Sequence, residues 1–306
     1  MQTTPSILHR RVEPLPWHAR PAALAWRREC ALTGVFLVLL ATALLGPSVA
    51  QPAHYHDFAD QRSWGWLPHA MDVLSNLPFA LWGMVGIWAL LRAVRVQAVS
   101  APAAAMAGLF FGGLWVTAAV SAAYHLQPGD AGLAWDRGGM VLAFAGLLGL
   151  AAMRAVSARA GMALATAVLV LGPLSVYAWS LSGNMLPWAI LQGGGMVLIL
   201  GFACLRPAQP WELPVRWALV IAIYALAKLL ELGDHAVYEW TGHWVSGHSL
   251  KHMVAACAAW PVVAALLAAR EIRAESKAAS KNRAGPSPGA SRHAPRRTTT
   301  ETRSQA

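Results

Sequence analysis

Gly247-His248-Ser249-Leu250-Lys251-His252-Met253-Val254-Ala255-Ala256-Cys257 opens the last apolar segment of the chain, which stays apolar to Ala269. Two histidines four apart share one face of a helix, about 6 Å along its axis. The pair therefore sits at the outer end of an expected membrane helix, where ionisable residues mark functional sites. Two imidazoles at this spacing make half of a zinc site; a third ligand and an open position complete a catalytic one.

The composition agrees with a membrane setting. Of 306 residues, 57% are hydrophobic and 12% charged, against roughly 25% charged in an ordinary soluble domain. Mean hydropathy is +0.44. The net charge of +10 belongs to the ends. Residues 1–29 carry five Arg against two Glu, and residues 270–306 carry nine Lys/Arg against three Glu. Basic ends of this kind fit cytoplasmic retention and anionic lipid, and no nucleic-acid partner is expected. Cys30, Cys204 and Cys257 lie in apolar segments without CxxC spacing, and read as small buried core residues.

A basic leader (1–29) precedes a first apolar run at 31–45. Pro47-Ser48-Val49-Ala50 resembles a signal-peptidase site. The charged region before it is too long for a signal peptide, so the first helix is expected to stay uncleaved. Seven further spans are expected near 73–94, 103–125, 134–153, 160–180, 184–205, 215–234 and 248–269, each close to the roughly 20 residues a crossing needs. The predicted architecture is an all-α polytopic membrane bundle. Its parts are the leader, an extra N-terminal transmembrane helix (30–48), a seven-helix domain (49–269) and a tail (270–306). The tail should be disordered beyond a helical extension to about Lys281.

Alternate loops differ in charge. Arg92/Arg95, Arg154/Arg159, Arg206/Arg216 and both tails fall in one set. The other set, 49–72, 126–133, 181–183 and 235–247, holds only Arg62. The positive-inside rule then places both termini in the cytoplasm. The Ala/Arg-rich, short-loop character suggests a bacterial inner membrane, with the opposite loops facing the periplasm.

That topology brings the in-membrane polar residues to one leaflet. They are Asp72, Ser75 and Asn76; Ser121 and His125; Asp136 and Arg137; Lys228, Glu231 and Asp234; and His248 and His252. Ser121 and His125 point the same way from one helix, and the Pro128-Gly129-Asp130 turn returns Asp136 to similar depth. His125, His248 and His252 are the expected zinc ligands, leaving the fourth position to water with a pKa near 7. Asp136 is the expected proton carrier. Ser121 is placed to donate to an oxyanion. Lys228 and Glu231 read as a mutually neutralising pair. His54, His56, His69, His235 and His243 read as loop or surface residues, and Trp64, Trp66, Trp240 and Trp244 as interfacial anchors.

Ser121-x3-His125, Asp136 eleven residues later and the late His248-x3-His252 resemble the alkaline ceramidase family within the CREST superfamily of membrane hydrolases. Ser75-Asn76 after Asp72 looks like the start of that family's first core helix. The resemblance covers roughly 56–269 and implies a zinc-dependent hydrolase that cuts the amide of ceramide, a lipid amide. It assigns zinc to His125, His248 and His252, and catalysis to Asp136 and Ser121. One departure concerns calcium. The region 57–70 lacks the acidic cluster of the eukaryotic members, and His69 stands where a Glu is expected, so no calcium requirement carries over. The same signature occurs in ester-cleaving lipases and in adiponectin-receptor-like sensors, so it speaks for the metal more than for the substrate. A transporter fits less well, because no inverted repeat or pair of broken midplane helices is evident.

Overall fold

The computed structural model describes residues 19–208 and 213–283, all helix apart from loops and two isolated bridges. In chain order the helices are α1 (Ala19–Leu45), α2 (Ala70–Leu74), α3 (Leu77–Arg95), α4 (Ala101–Leu126), α5 (Asp130–Ala155) and α6 (Ala158–Ser182). They continue with α7 (Leu186–Cys204), α8 (Trp217–Leu232), α9 (Asp234–Trp240), α10 (Gly247–Ala256) and α11 (Trp260–Arg283). Among the described residues, seven segments are long and apolar enough to cross a membrane, with α2–α3 and α10–α11 each counting as one. The chain is a polytopic helical membrane protein.

Several expectations need adjusting. The span expected at 215–234 forms α8, only 16 residues long, which gives way at Gly233 to α9. The described part of the leader, from Ala19, is already helical in α1, whereas the tail's expected helical extension to about Lys281 is present in α11, which is described to Arg283. Residues 1–18 of the leader and 284–306 of the tail lie outside the described residues. The three cysteines are exposed on the outside of the bundle, not buried in its core. Their apolar surroundings in sequence were lipid-facing surface, which hydropathy does not distinguish from core.

Two of the crossing segments are broken, each four residues before a proline. Pro78 cannot donate a backbone hydrogen bond to residue 74, and its ring crowds that carbonyl; α2 ends at Leu74 and α3 starts at Leu77. Pro261 does the same to residue 257, where a 3₁₀ turn (Cys257–Ala259) separates α10 from α11. Serine caps begin three other helices: Ser100, Ser157 and Ser246 accept from the amides of Ala103, Ala160 and Ser249, each satisfying an otherwise free first-turn N–H.

The core is centred on α5, which packs between α4 and α6 and also touches α7. Gly113 makes the α4–α5 approach close: a Cβ there would lie 2.3 Å from the Ala143 nitrogen. α10 packs on α8 and α3, and α11 on α3. α1 lies outside, against α7. The C-terminal end of α4, the N-terminal ends of α5 and α10, the α2–α3 break and the 46–69 connection meet at one end of the bundle.

Candidate metal centre

His125, near the end of α4, meets His248 and His252 of α10 at that end. Their ligating nitrogens all lie within 4.8 Å of one another. The ring centroids are 4.8 Å (His125–His248), 5.1 Å (His125–His252) and 4.8 Å (His248–His252) apart. All three residues are buried. His125 Nε2 and His248 Nε2 face each other at 3.3 Å. Two nitrogens bound tetrahedrally to zinc at about 2.0–2.1 Å stand about 3.4 Å apart, so this spacing fits a shared ion. His125 Nδ1, the ring nitrogen turned away from that contact, is buried with no hydrogen-bond partner among the described residues. The group could hold a metal ion.

His252 is oriented by the α2–α3 break. The hydroxyl of Ser75 donates to the Asp72 carbonyl at 2.8 Å and meets His252 Nδ1 at 2.8 Å. A serine has one proton to give; with it on the Asp72 carbonyl, the Ser75 oxygen accepts from Nδ1 of His252. The lone pair is thereby left on Nε2, the tautomer a metal ligand needs. Ser75 thus reaches the centre through a ring nitrogen. The same break supplies Asp72, whose Oδ1 accepts from Ser249 Oγ at 2.7 Å and so clamps the head of α10. Asn76 bonds the Asp72 carbonyl at 2.8 Å and stays outside the ligand group.

His248 is held from the other side. Its amide donates to Asp234 Oδ1 at 2.7 Å, and the second oxygen of Asp234 accepts from the Ala59 amide at 3.0 Å. Gly247 permits this approach, because a Cβ there would lie 2.2 Å from the Leu230 carbonyl oxygen. Asp234 also binds the 46–69 connection to α10, and that connection carries Phe58. The Phe58 ring lies 4.2 Å from the His248 ring and 4.8 Å from the His125 ring, centroid to centroid. Phe58 is itself buried. It shields two of the histidines at the loop-covered end of the bundle.

The approach lies sideways, through a chamber of about 150 Å³ among α3, α4, α5, α7, α8 and α10. Ser121, Asp136 and His252 line it together, with Phe79, Phe110 and Leu114 among the apolar walls. Asp136 Oδ1 is buried and unpartnered. Arg137, the next residue, belongs elsewhere. Its guanidinium stacks over Trp179 at 4.2 Å and donates to Gln51 Oε1 at 3.1 Å.

Sequence reasoning missed five contributors. Phe58 was invisible because it comes from a loop of no regular pattern. Asp234 stood among the polar residues of the right leaflet without a role. Ser246 and Ser249 look like ordinary cap residues, although Ser249 reaches Asp72. Lys251 had no role assigned from the sequence, yet it joins Lys228 and Glu231 in the chamber wall. That corrects the expected two-residue pair to a cluster of three. Among the remaining histidines, His56 bonds the Tyr124 hydroxyl and Asp130, and His235 meets the Asp57 carbonyl. Trp64, Trp66, Trp240 and Trp244 are all exposed.

Comparison of the chain with known protein families, with characterised proteins and with solved structures finds no match. The reading of the site rests on its own residues.

Proposed function

We propose that the chain is a zinc-dependent membrane amidohydrolase that cleaves the N-acyl bond of a lipid amide, ceramide being typical of the family it resembles. One observation carries this reading: a buried three-histidine group borders, through His252, an apolar chamber also lined by Ser121 and Asp136. A purely structural zinc site is closed by four protein ligands, whereas a catalytic one has three and an open position. The apolar walls of the chamber suit the carbon atoms beside a scissile amide, with the rest of an acyl chain extending out of it between the helices. Taken with the short α8 as an eighth crossing beside the seven longer segments, the positive-inside pattern supports cytoplasmic termini and a site at the periplasmic face of a bacterial inner membrane.

His125, His248 and His252 would hold the ion, with His252 presented in the correct tautomer by Ser75. Zinc in such a site polarises a carbonyl and lowers the pKa of water to about 7. Asp136 accepts the proton of the attacking water and delivers it to the leaving nitrogen as the C–N bond breaks. Ser121 donates its hydroxyl hydrogen to the carbonyl oxygen as that atom gains charge. Phe58 keeps bulk water away from the histidines, which strengthens each of these interactions.

The test is mass spectrometry of fatty-acid and amine release, with zinc content measured on the same samples. Wild type, His252→Ala and Asp136→Asn are incubated with ceramides, N-acyl amines and glycerolipids. Wild type should release amine and fatty acid. His252→Ala should lose both zinc and activity. Asp136→Asn should keep zinc and lose about 10²–10⁴-fold in rate, the usual worth of a general acid–base group. Full activity in Asp136→Asn would remove the proton-transfer role. Fatty acid from glycerolipids alone would reassign the chain as an esterase. No release from any lipid, with zinc bound, would favour a sensor.

A further inference from the structure

Three charged side chains share the chamber wall with Ser121, Asp136 and His252 and take no part in the chemistry above: Lys228, Glu231 and Lys251. Lys251 Nζ donates to Glu231 Oε1 at 2.7 Å, and Lys228 Nζ donates to Glu231 Oε2. One carboxylate therefore serves two ammonium groups, one on each oxygen. The cluster keeps one positive charge in excess. Each ammonium has three N–H donors, and Glu231 takes one from each. The Lys251 side chain is only 20% exposed and that of Glu231 23%, with Lys228 at 41%.

Such an excess is costly in apolar surroundings unless an anion joins it. The Asp136 carboxylate of the same chamber offsets that charge, but among the described residues no ion pair joins it to either lysine, so both ammonium groups keep N–H donors without an acceptor. A metal ion on the histidines would add two further positive charges nearby. The spare donors therefore face a space that an anionic group is best suited to fill. The chamber is small, about 150 Å³, which favours a compact carboxylate over a bulky phosphodiester headgroup.

We infer that Lys228 and Lys251 form a carboxylate-reading site in the chamber, so that the preferred substrates are N-acyl amino acids over neutral lipid amides. This rests on the amidohydrolase reading for the word substrate, whereas the anion site itself rests on the lysine cluster. Lys228 and Lys251 hold the carboxylate of the amino-acid part, which sets the scissile amide between them and the histidines. Glu231 holds both ammonium groups in place and weakens their pull on the ligand.

N-palmitoylglycine and N-palmitoylethanolamine are near-isosteres that differ in carrying a carboxylate or a hydroxymethyl group. Dissociation constants for both are measured on the purified full-length protein in detergent, with turnover in parallel. The expected result is that the glycine lipid binds about tenfold tighter or more, the worth of one hydrogen bond to a charged group. Lys228→Gln should largely erase that preference, Lys228→Arg should retain it, and Glu231→Gln should widen it by freeing both ammonium groups. The thermal midpoint of each variant shows that it is folded. Equal binding of the two lipids by wild type overturns the inference, whatever the turnover. A preference that survives Lys228→Gln and Lys251→Gln alike also overturns it. Preference in binding with cleavage of neither lipid leaves the anion site standing and strikes out the amidohydrolase reading instead.

Discussion

Replacing Ser75 by alanine isolates a single hydrogen bond that touches the metal centre without contributing a ligand. Among the described residues Ser75 Oγ is the only partner of His252 Nδ1, at 2.8 Å. Its other bond, to the Asp72 carbonyl, is expendable, because Asn76 Nδ2 also donates to that oxygen at 2.8 Å. The substitution removes one oxygen and opens little space. What it changes is the choice His252 has between its two neutral forms. With Nδ1 unpaired in a buried site, the ring gains by moving its proton to Nε2, where it blocks the ligand position. Loss of a partner that orients a metal-bound histidine typically lowers metal affinity 10–100-fold. That corresponds to roughly 1.4–2.8 kcal/mol. Competition with a chromophoric chelator reads zinc affinity directly and needs no substrate. Ser75→Thr, which keeps the hydroxyl, should hold more of the affinity than Ser75→Ala. Zinc affinity unchanged in Ser75→Ala would refute the tautomer argument, and with it the role of the α2–α3 break.

Three further perturbations test how the site is built. Gly247→Ala places a Cβ 2.2 Å from the Leu230 carbonyl oxygen and 2.8 Å from the Asp234 Cα; both are backbone atoms, so the head of α10 must move. Overpacking of this kind costs about 1–3 kcal/mol, read as a lower thermal midpoint together with weaker zinc binding; an unchanged midpoint would show that α10 is less tightly seated. Phe58→Ala uncovers two histidine rings, and chelator should then strip zinc faster by on the order of tenfold, since the apolar shell controls solvent access. Equal stripping rates would show that Phe58 is no cover. The Asp60–Arg62 pair gives a pH prediction. Burial alone would raise the Asp60 carboxyl, but the side-chain and backbone bonds from Arg62 outweigh it and leave the group below its ordinary value of 3.8. A carboxyl lowered on folding stabilises the protein fully above its unfolded value, and the benefit is lost as pH falls through the lower folded one. Arg62→Gln should therefore show its full deficit above the ordinary carboxylate range, and the gap to wild type should close as pH falls, because only wild type has the benefit of the lowered Asp60 carboxyl to lose. Near neutrality it should cost on the order of 1 kcal/mol, since the Arg62 side chain is 43% exposed and its charge is screened. Coincident thermal midpoints of the two proteins from pH 2 to 7 would remove the pair from the account.

The amino-acid sequence by itself determined the helical membrane architecture, because long apolar runs and the Arg asymmetry of alternate loops are local properties that need no partner. It also determined the candidate ligands. His248 and His252 lie one helical turn apart, and Ser121 and His125 do the same on another helix, so each pair shares a face whatever the packing. The tertiary structure decided the rest. Hydropathy cannot tell lipid-facing surface from core, which is why Cys30, Cys204 and Cys257 prove exposed. It also cannot show that the proline-induced break between α2 and α3 brings Ser75, 177 residues away in sequence, to His252. Lys251 carries the same lesson. In sequence it is a charge between two histidines, and only the seating of α10 against α8 makes it the second ammonium on Glu231. Helical periodicity fixes which side chains point together, whereas chain packing fixes what they point at.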